Sequence, residues 1–383
     1  MKYRPFGKKM EWEVSALGFG AMRLPQTSSN PADVDESESI RMMRFAIDSG
    51  VNYIDTAYPY HAGRSEVVVG KALQDGYRQK VKIATKLPSW AIQAASDFDK
   101  YLDQQLKRLQ SDSIEFYLLH GLNKQYWPKL RELEVFRWAE KAMADGRIGR
   151  LGFSFHDEFD LFKEIVDAYD NWTFCQVQYN YMDTDFQAGT KGVRYAAGKG
   201  LAVVVMEPLR GGSLAKQPPE SVAKIWDQAK NKRSSAEWAL LWAWEQPGVP
   251  VVLSGMSSFD QVKENLAIAD RSGPGTLSAS ELKLIEMARD AFKGLRPIPC
   301  TNCGYCMPCA QGVDIPRIFE FYNNGIMHDD IQKARFYYRF PIALKESQRA
   351  DQCIDCGECE EACTQKIPIA EWLKKVHAEL GPG

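Results

Sequence analysis

The sequence predicts an α/β protein: a (β/α)8 TIM barrel followed by a small, mainly α-helical domain that holds most of the cysteines. Three observations predict it. Strand-like and helix-like segments alternate about eight times, the number that closes such a barrel. The run Gly200-Leu-Ala-Val-Val-Val-Met206 is almost wholly apolar, as expected of a parallel strand covered on both faces. Eight of the nine cysteines fall in two tight runs beyond residue 299.

The elements follow in order. Two short extended segments end in Leu17-Gly-Phe-Gly-Ala-Met-Arg23. Residues 39–48 have helical apolar spacing and stop at Gly50. Residues 51–55 read as a strand and 65–73 as a helix; 80–85 as a strand and 97–109 as a helix. Residues 114–119 follow as a strand, and 130–145 as a helix closed by Gly146. The alternation continues with strand 148–153, helix 159–169, strand 174–178 and helix 190–198. The apolar run 200–206 precedes helix 234–245, strand 249–253 and helix 258–269. A doubly wound sheet would alternate similarly, but no Gly-x-Gly-x-x-Gly follows the first strand. Residues 278–292 form one more amphipathic segment. Arg296-Pro-Ile-Pro299 then makes a stiff break, so the barrel is assigned residues 1–295 and the cysteine domain residues 296–383.

With 383 residues and a net charge of −2, the chain offers no polycationic face for nucleic acid. It has no apolar run long enough to span a bilayer, and Met1-Lys-Tyr-Arg-Pro5 lacks a secretory signal. The expected location is the cytoplasm, where clustered cysteines act as metal ligands rather than disulfides.

Chemistry gathers around Asp55-Thr-Ala-Tyr-Pro-Tyr60. Asp55, Lys86 and His120 fall at the same relative position near the C-terminal ends of three consecutive strands, where barrel enzymes keep catalytic groups. A free phenol has a pKa of about 10, and the Lys86 ammonium beside Tyr60 is expected to favour the phenolate and lower that pKa. Asp55 would hold Lys86 charged, Tyr60 would protonate a developing oxyanion, and His120 would orient the same oxygen. Taken singly, each residue has an ordinary reading: a helix cap, rim packing, a solvated lysine, a buried histidine. Their common placement favours a site.

These residues resemble the aldo-keto reductase superfamily over roughly residues 1–295. The likeness is carried by Asp55–Tyr60 with Ser65-Glu66, Ala84-Thr-Lys86, Leu118-Leu-His120, Gly152-Phe-Ser154 and the segment 255–265. It implies a tetrad of Asp55, Tyr60, Lys86 and His120 that moves hydride between NADPH or NADH and a carbonyl or alcohol. It also implies that Ser154 and Gln176 face the nicotinamide and that Glu207, Leu209, Arg210 and Gly211 follow the pyrophosphate. Gly255, Ser257, Gln261, Glu264 and Asn265 would hold the adenosine end. The sequence departs from the pattern in places. Gly255 and Gln261 stand where many NADP-dependent relatives carry Lys and Arg, Phe155-His156 where an Asn is common, and Met206 where an aromatic is common. The choice between NAD and NADP stays open. His156 reaches into the barrel mouth or caps the next helix, and Tyr58, Trp90 and Trp127 line a pocket or pack.

The cysteine runs are Cys300-x2-Cys303-x2-Cys306-x2-Cys309 and Cys353-x2-Cys356-x2-Cys359-x3-Cys363. Successive two-residue gaps without a local histidine suit iron–sulfur cubanes rather than zinc. Two 4Fe-4S clusters are expected. In two-cluster ferredoxins the fourth cysteine serves the other cluster, which gives one set of Cys300, Cys303, Cys306 and Cys363, and a second of Cys353, Cys356, Cys359 and Cys309. The helical insert between the runs resembles α-helical ferredoxin modules, although Thr364 replaces the usual proline. Cys175 reads as core. Two functions follow: a nicotinamide oxidoreductase whose clusters relay electrons or support structure, or an iron–sulfur electron-transfer or redox-sensing protein whose barrel binds a flavin or docks a redox partner such as a ferredoxin.

Overall fold

Eight short parallel strands make the frame of the computed structural model, which describes every residue except 29, 301–303, 342, 364 and 383. A two-stranded hairpin comes first, β1 (Tyr3–Pro5) antiparallel to β2 (Glu13–Ser15). The barrel strands are β3 (Leu17–Gly20), β4 (Tyr53–Asp55), β5 (Lys82–Leu87) and β6 (Ile114–Leu122), then β7 (Ile148–Phe155), β8 (Phe174–Gln178), β9 (Ala202–Met206) and β10 (Val251–Gly255). Each pairs in parallel with its sequence neighbour, and β10 closes the ring onto β3. All eight expected strands are therefore present.

Alternation along each strand sends every second side chain inward. Tyr53, Ala84, Phe116, Leu118, Phe174, Ala202, Val204, Val251 and Leu253 fill the interior. Phe6 and Val14 from the hairpin region complete that cluster, with Met10 and Trp12 packed against it. Two glycines make room for the larger side chains. A Cβ at Gly152 would lie 2.5 Å from the Phe174 ring, and one at Gly18 would lie 2.6 Å from Leu253 Cδ2.

The helices depart from expectation at two places. The single helix read over 130–145 is two, Tyr126–Glu132 and Val135–Ala144, parted by Glu134 in a left-handed conformation with φ 55°. An additional helix, Glu220–Trp226, begins after Pro219.

By packing, the chain divides into two units. One comprises Met1–Ala215 with Ser234–Leu282, and the other comprises Lys216–Arg233 with the chain from Lys283 onward. The segment 216–233, expected inside the barrel domain, thus groups with the cysteine region. An ion pair of 2.6 Å from Lys216 to Asp330 ties it there. In that second unit the helices Ile315–Met327, Ile331–Arg339 and Ile369–Leu380 surround a core that includes Ile318, Phe319, Tyr338, Leu373 and Val376. Cys300, Cys306, Cys309, Cys353 and Cys359 pack against this core.

Candidate active site and cluster-binding region

Asp55 is the last residue of β4, and the loop after it is tightly held. Thr56 N–H bonds Ala84 O at 2.9 Å, and Tyr60 N–H bonds Ala57 O at 3.1 Å. His61, Ala62 and Gly63 then adopt left-handed conformations in succession. His61 braces them: its Nδ1 donates to Pro31 O at 3.0 Å, and its Nε2 accepts from Leu24 N–H at 3.1 Å. Nothing in the sequence marks His61 for this role.

The four expected catalytic residues converge. Lys86 Nζ lies 2.6 Å from Asp55 Oδ1, 2.8 Å from Thr56 O and 3.3 Å from Tyr60 Oη. Asp55 and Lys86 are only 3% and 1% exposed. Gln176 Nε2 donates to the second oxygen of Asp55 at 2.9 Å. The rings of Tyr60 and His120 meet edge to face with centroids 6.1 Å apart, and Trp90 lies against the His120 ring at 5.1 Å. The residues are not level along the strands, as the sequence suggested. Asp55 is opposite Ala84 and Lys86 is opposite Leu118, so Lys86 and His120 each stand two positions beyond the partner of the preceding candidate. The barrel's stagger turns this offset into convergence.

The electrostatics follow from burial. Burial opposes the Lys86 ammonium, yet Asp55 and Tyr60 together hold its pKa above the ordinary value. For Tyr60, burial raises the pKa and outweighs the opposing pull of Lys86. The lowered pKa expected from the sequence is thus reversed: Lys86 pulls as expected, but burial wins. His120 is held well below the ordinary histidine value by burial first and then by the charge on Lys86, so its imidazole is neutral. Its buried Nδ1 has no hydrogen-bond partner within the described residues.

A second network, buried except for Arg108 at its edge, stands behind Lys86. Gln105 Nε2 donates to Glu66 Oε1 at 2.7 Å, to Thr85 Oγ1 at 3.1 Å and to Lys86 O at 3.1 Å. Tyr117 Oη donates to Gln105 Oε1 at 2.6 Å, and Arg108 pairs with Glu66 at 3.1 Å. The network fixes the backbone from which Lys86 projects. Gln105 sits mid-helix among polar neighbours, so no sequence cue points to it.

The expected cofactor contacts occupy two places. Ser154 Oγ accepts from Gly121 N–H at 2.7 Å, while Gln176 Oε1 is buried without a hydrogen-bond partner within the described residues. Glu207, Arg210 and Gly211 have positive φ in the loop after β9, where Leu209 also lies. Arg210 pairs with Asp183 at 3.2 Å, and Arg23, not anticipated, approaches Glu207 at 3.7 Å. Gly255 ends β10, and Ser257 lies in the turn that leads into the helix Phe259–Ala269. Gln261 Oε1 accepts from Ser257 N–H at 2.8 Å, and Ser257 Oγ donates to Arg23 O at 2.8 Å. Glu264 accepts from Ser234 Oγ at 2.6 Å, and Asn265 reaches back to Ser254 Oγ at 2.8 Å. His156 bonds the Gln187 amide oxygen at 3.3 Å and does not cap the following helix, whose N-cap is Glu158. Trp127 is buried, whereas Trp90 is exposed at 39%. Cys175 is fully buried with its thiol pKa pushed up, as a core residue.

In the second unit the cysteines line two cavities. One is bordered by Cys306, Cys309, Cys353, Cys356 and Cys359. The other is bordered by Cys300, Cys306 and Cys363 with apolar Ile315, Phe319 and Ile367. Cys309 lines the cavity of the second run, Cys363 lines the one with Cys300, and Cys306 borders both. Cys303 and Thr364 lie outside the described residues. Among the described residues no three metal-binding side chains already stand in a closed ligand set.

A closed parallel barrel with an acid–base group at the C-terminal ends of its strands defines an α/β-barrel enzyme. The model of the Aldo/keto reductase family matches residues 16–289, and that of a 4Fe-4S dicluster domain matches residues 299–367. The chain belongs to the aldo/keto reductase family and carries a C-terminal 4Fe-4S dicluster domain; it is an oxidoreductase. It is similar to the uncharacterized oxidoreductase YrpG of Bacillus subtilis, 25% identical over 74% of this chain and 96% of that one. The NADH-specific methylglyoxal reductase of Escherichia coli is 25% identical over 70% and 93% of the two chains. The holo form of an aldo-keto reductase from Bacillus halodurans superposes with a TM-score of 0.62 at 30% identity, covering 75% and 96%. A Klebsiella pneumoniae aldo/keto reductase in complex with NADP and acetate superposes with a TM-score of 0.60 at 25% identity, covering 74% and 94%.

Proposed function

We propose that this chain is a cytoplasmic, nicotinamide-dependent oxidoreductase that interconverts a small carbonyl compound and its alcohol, with Tyr60 as general acid and base. The observation that carries the reading is the buried chain from Gln176 through Asp55 and Lys86 to Tyr60 Oη, with neutral His120 beside it. The donor set suits a carboxamide: Gln176 Oε1 is an unused buried acceptor, and Ser154 still has its hydroxyl proton to donate. A bound NAD(P)H supplies the hydride. Tyr60 Oη gives its proton to the carbonyl oxygen as negative charge develops there, Lys86 stabilises the phenolate left behind, and His120 hydrogen-bonds the same oxygen. Asp55 keeps Lys86 charged, and Gln176 fixes Asp55. Arg23, Arg210 and the helix start after Ser258 form the cationic side of the proposed cofactor groove.

In the C-terminal domain, 296–383 in sequence, we assign two 4Fe-4S clusters. One takes Cys300, Cys303, Cys306 and Cys363, and the other takes Cys309, Cys353, Cys356 and Cys359. The cysteine borders of the two cavities support this crossed ligation. The clusters exchange single electrons with a redox partner. The test of the barrel site is Tyr60→Phe, assayed anaerobically with each nicotinamide across a carbonyl panel. Turnover should fall about 10²–10⁴-fold while quenching of protein fluorescence still reports cofactor binding. Full turnover would remove Tyr60 from the mechanism.

A further inference from the structure

The two cysteine-lined cavities differ in their surroundings. The one bordered by Cys300 and Cys363 is backed by buried Ile315, Phe319, Ile367 and Ile369, and Cys363 itself is 8% exposed. At the other, Cys356 is exposed, and the rim includes Tyr305 at 66% and Ile354 at 63% exposure. Met307, in the same short loop as Tyr305, is 36% exposed. Singly exposed apolar residues are ordinary, but Tyr305 and Ile354 meet on one opening, which marks an interaction surface.

The charges around that opening have one prevailing sign. Asp355 and Glu358 border it. Glu361 on the same five-residue helix is exposed, as is Asp351, two residues before Cys353. Lys374 neutralises Asp355 through a 2.5 Å ion pair, and Asp351 faces His377 at 3.9 Å, leaving Glu358 on the opening and Glu361 further along the same helix as negative charge. The loop 304–312 carries no charged residue.

We infer that the face formed by Tyr305 and Ile354, rimmed by Glu358 and Glu361, is the docking surface for a basic one-electron carrier protein. The cluster held by Cys309, Cys353, Cys356 and Cys359 is the port of exchange, and the cluster held with Cys300 and Cys363 is the inner one. This rests on the assignment of two clusters. At the port one electron leaves a reduced cluster, which is oxidised by one unit, and the carrier's centre is reduced by one unit; no proton or bond is involved. Apolar contact at the centre with charge at the rim suits a short-lived encounter, in which the rim sets the on-rate and its salt dependence.

The test uses the full chain with clusters loaded anaerobically. Iron, acid-labile sulfide and the EPR signals of the dithionite-reduced protein are measured first, and absence of clusters overturns both the cluster assignment and this surface. Stopped-flow mixing then follows oxidation of the reduced clusters by oxidised cytochrome c, a small basic haem protein. Parallel runs use an acidic flavodoxin and a neutral small quinone. With cytochrome c the rate should fall steeply with ionic strength. In Glu358→Gln/Glu361→Gln and in Tyr305→Ser/Ile354→Ser it should drop at least about 10-fold, with the EPR signals and the quinone rate unchanged. A cytochrome c rate that is insensitive to salt and to both variants overturns the proposal, as does faster reaction with the flavodoxin. Sedimentation showing that a second copy of the chain covers this face also overturns it.

Discussion

The buried pair of Lys86 and Asp55 yields the most demanding prediction. Both side chains are almost wholly shielded from water, and Nζ makes its bonds to Asp55, Thr56 O and Tyr60 Oη inside the barrel. Asp55→Asn leaves an ammonium without its counter-charge, and Lys86→Met leaves a carboxylate without one. Removing one partner of such a pair costs about 3–5 kcal/mol, or roughly two to nearly four orders of magnitude in an opening equilibrium. The double variant removes both charges. The amide introduced by Asp55→Asn would still accept from Gln176, while Thr56 O loses its donor at a cost of about 1–3 kcal/mol. The two substitutions should therefore couple by at least about 2 kcal/mol. Because the chain has two packing units, a single global unfolding curve is the wrong instrument. Hydrogen exchange of peptides covering 53–57 and 82–87 reads the barrel alone. Single variants that each cost under about 1 kcal/mol, or costs that simply add, would refute the claim of a mutually dependent buried ion pair.

Two further expectations follow from the same physics. In the proposed reaction Tyr60 must be protonated to reduce a carbonyl and ionised to oxidise an alcohol. Its pKa lies above the usual 10 because of burial. Single-turnover reduction should therefore persist through neutral pH and fall as pH rises through that value, while oxidation rises over the same limb. Lys86→Met removes the opposing ammonium and should move both limbs further up; limbs that stay fixed would break the link between the two residues. In the second unit, crossed ligation predicts that Cys309→Ser combined with Cys353→Ser leaves one cluster, whereas Cys309→Ser with Cys300→Ser leaves none. Iron content and EPR spin integration distinguish this from ligation within each run, which gives the reverse.

The barrel was legible because its strands are apolar and flanked by amphipathic helices, a pattern the solvent imposes on any covered parallel sheet. The strand ends were less so. Strands β5, β6 and β7 run two or three residues beyond the expected stops, and the added residues include Lys86, His120 and Ser154. Polar side chains that face a barrel interior look like loop residues in a sequence. Asp55, Tyr60, Lys86 and His120 were found because their chemistry is mutually dependent, whereas His61 and Gln105 act through bonds to backbone that leave no periodic trace. The break at Glu134 carries neither glycine nor proline, and the helix after Pro219 lies in a polar stretch, so neither had a local signal. The net direction for Tyr60 needed burial, which only packing reveals.

Phe6 and Val14 of the hairpin region, with Trp12 against them, also set the surroundings of a buried phenol: they join Tyr53, Phe116 and Phe174 in the apolar cluster of the barrel interior. Tyr53 Oη has no hydrogen-bond partner among the described residues, and burial together with the Asp55 charge holds its pKa well above the ordinary value, so a neutral phenol faces that carboxylate from the barrel interior.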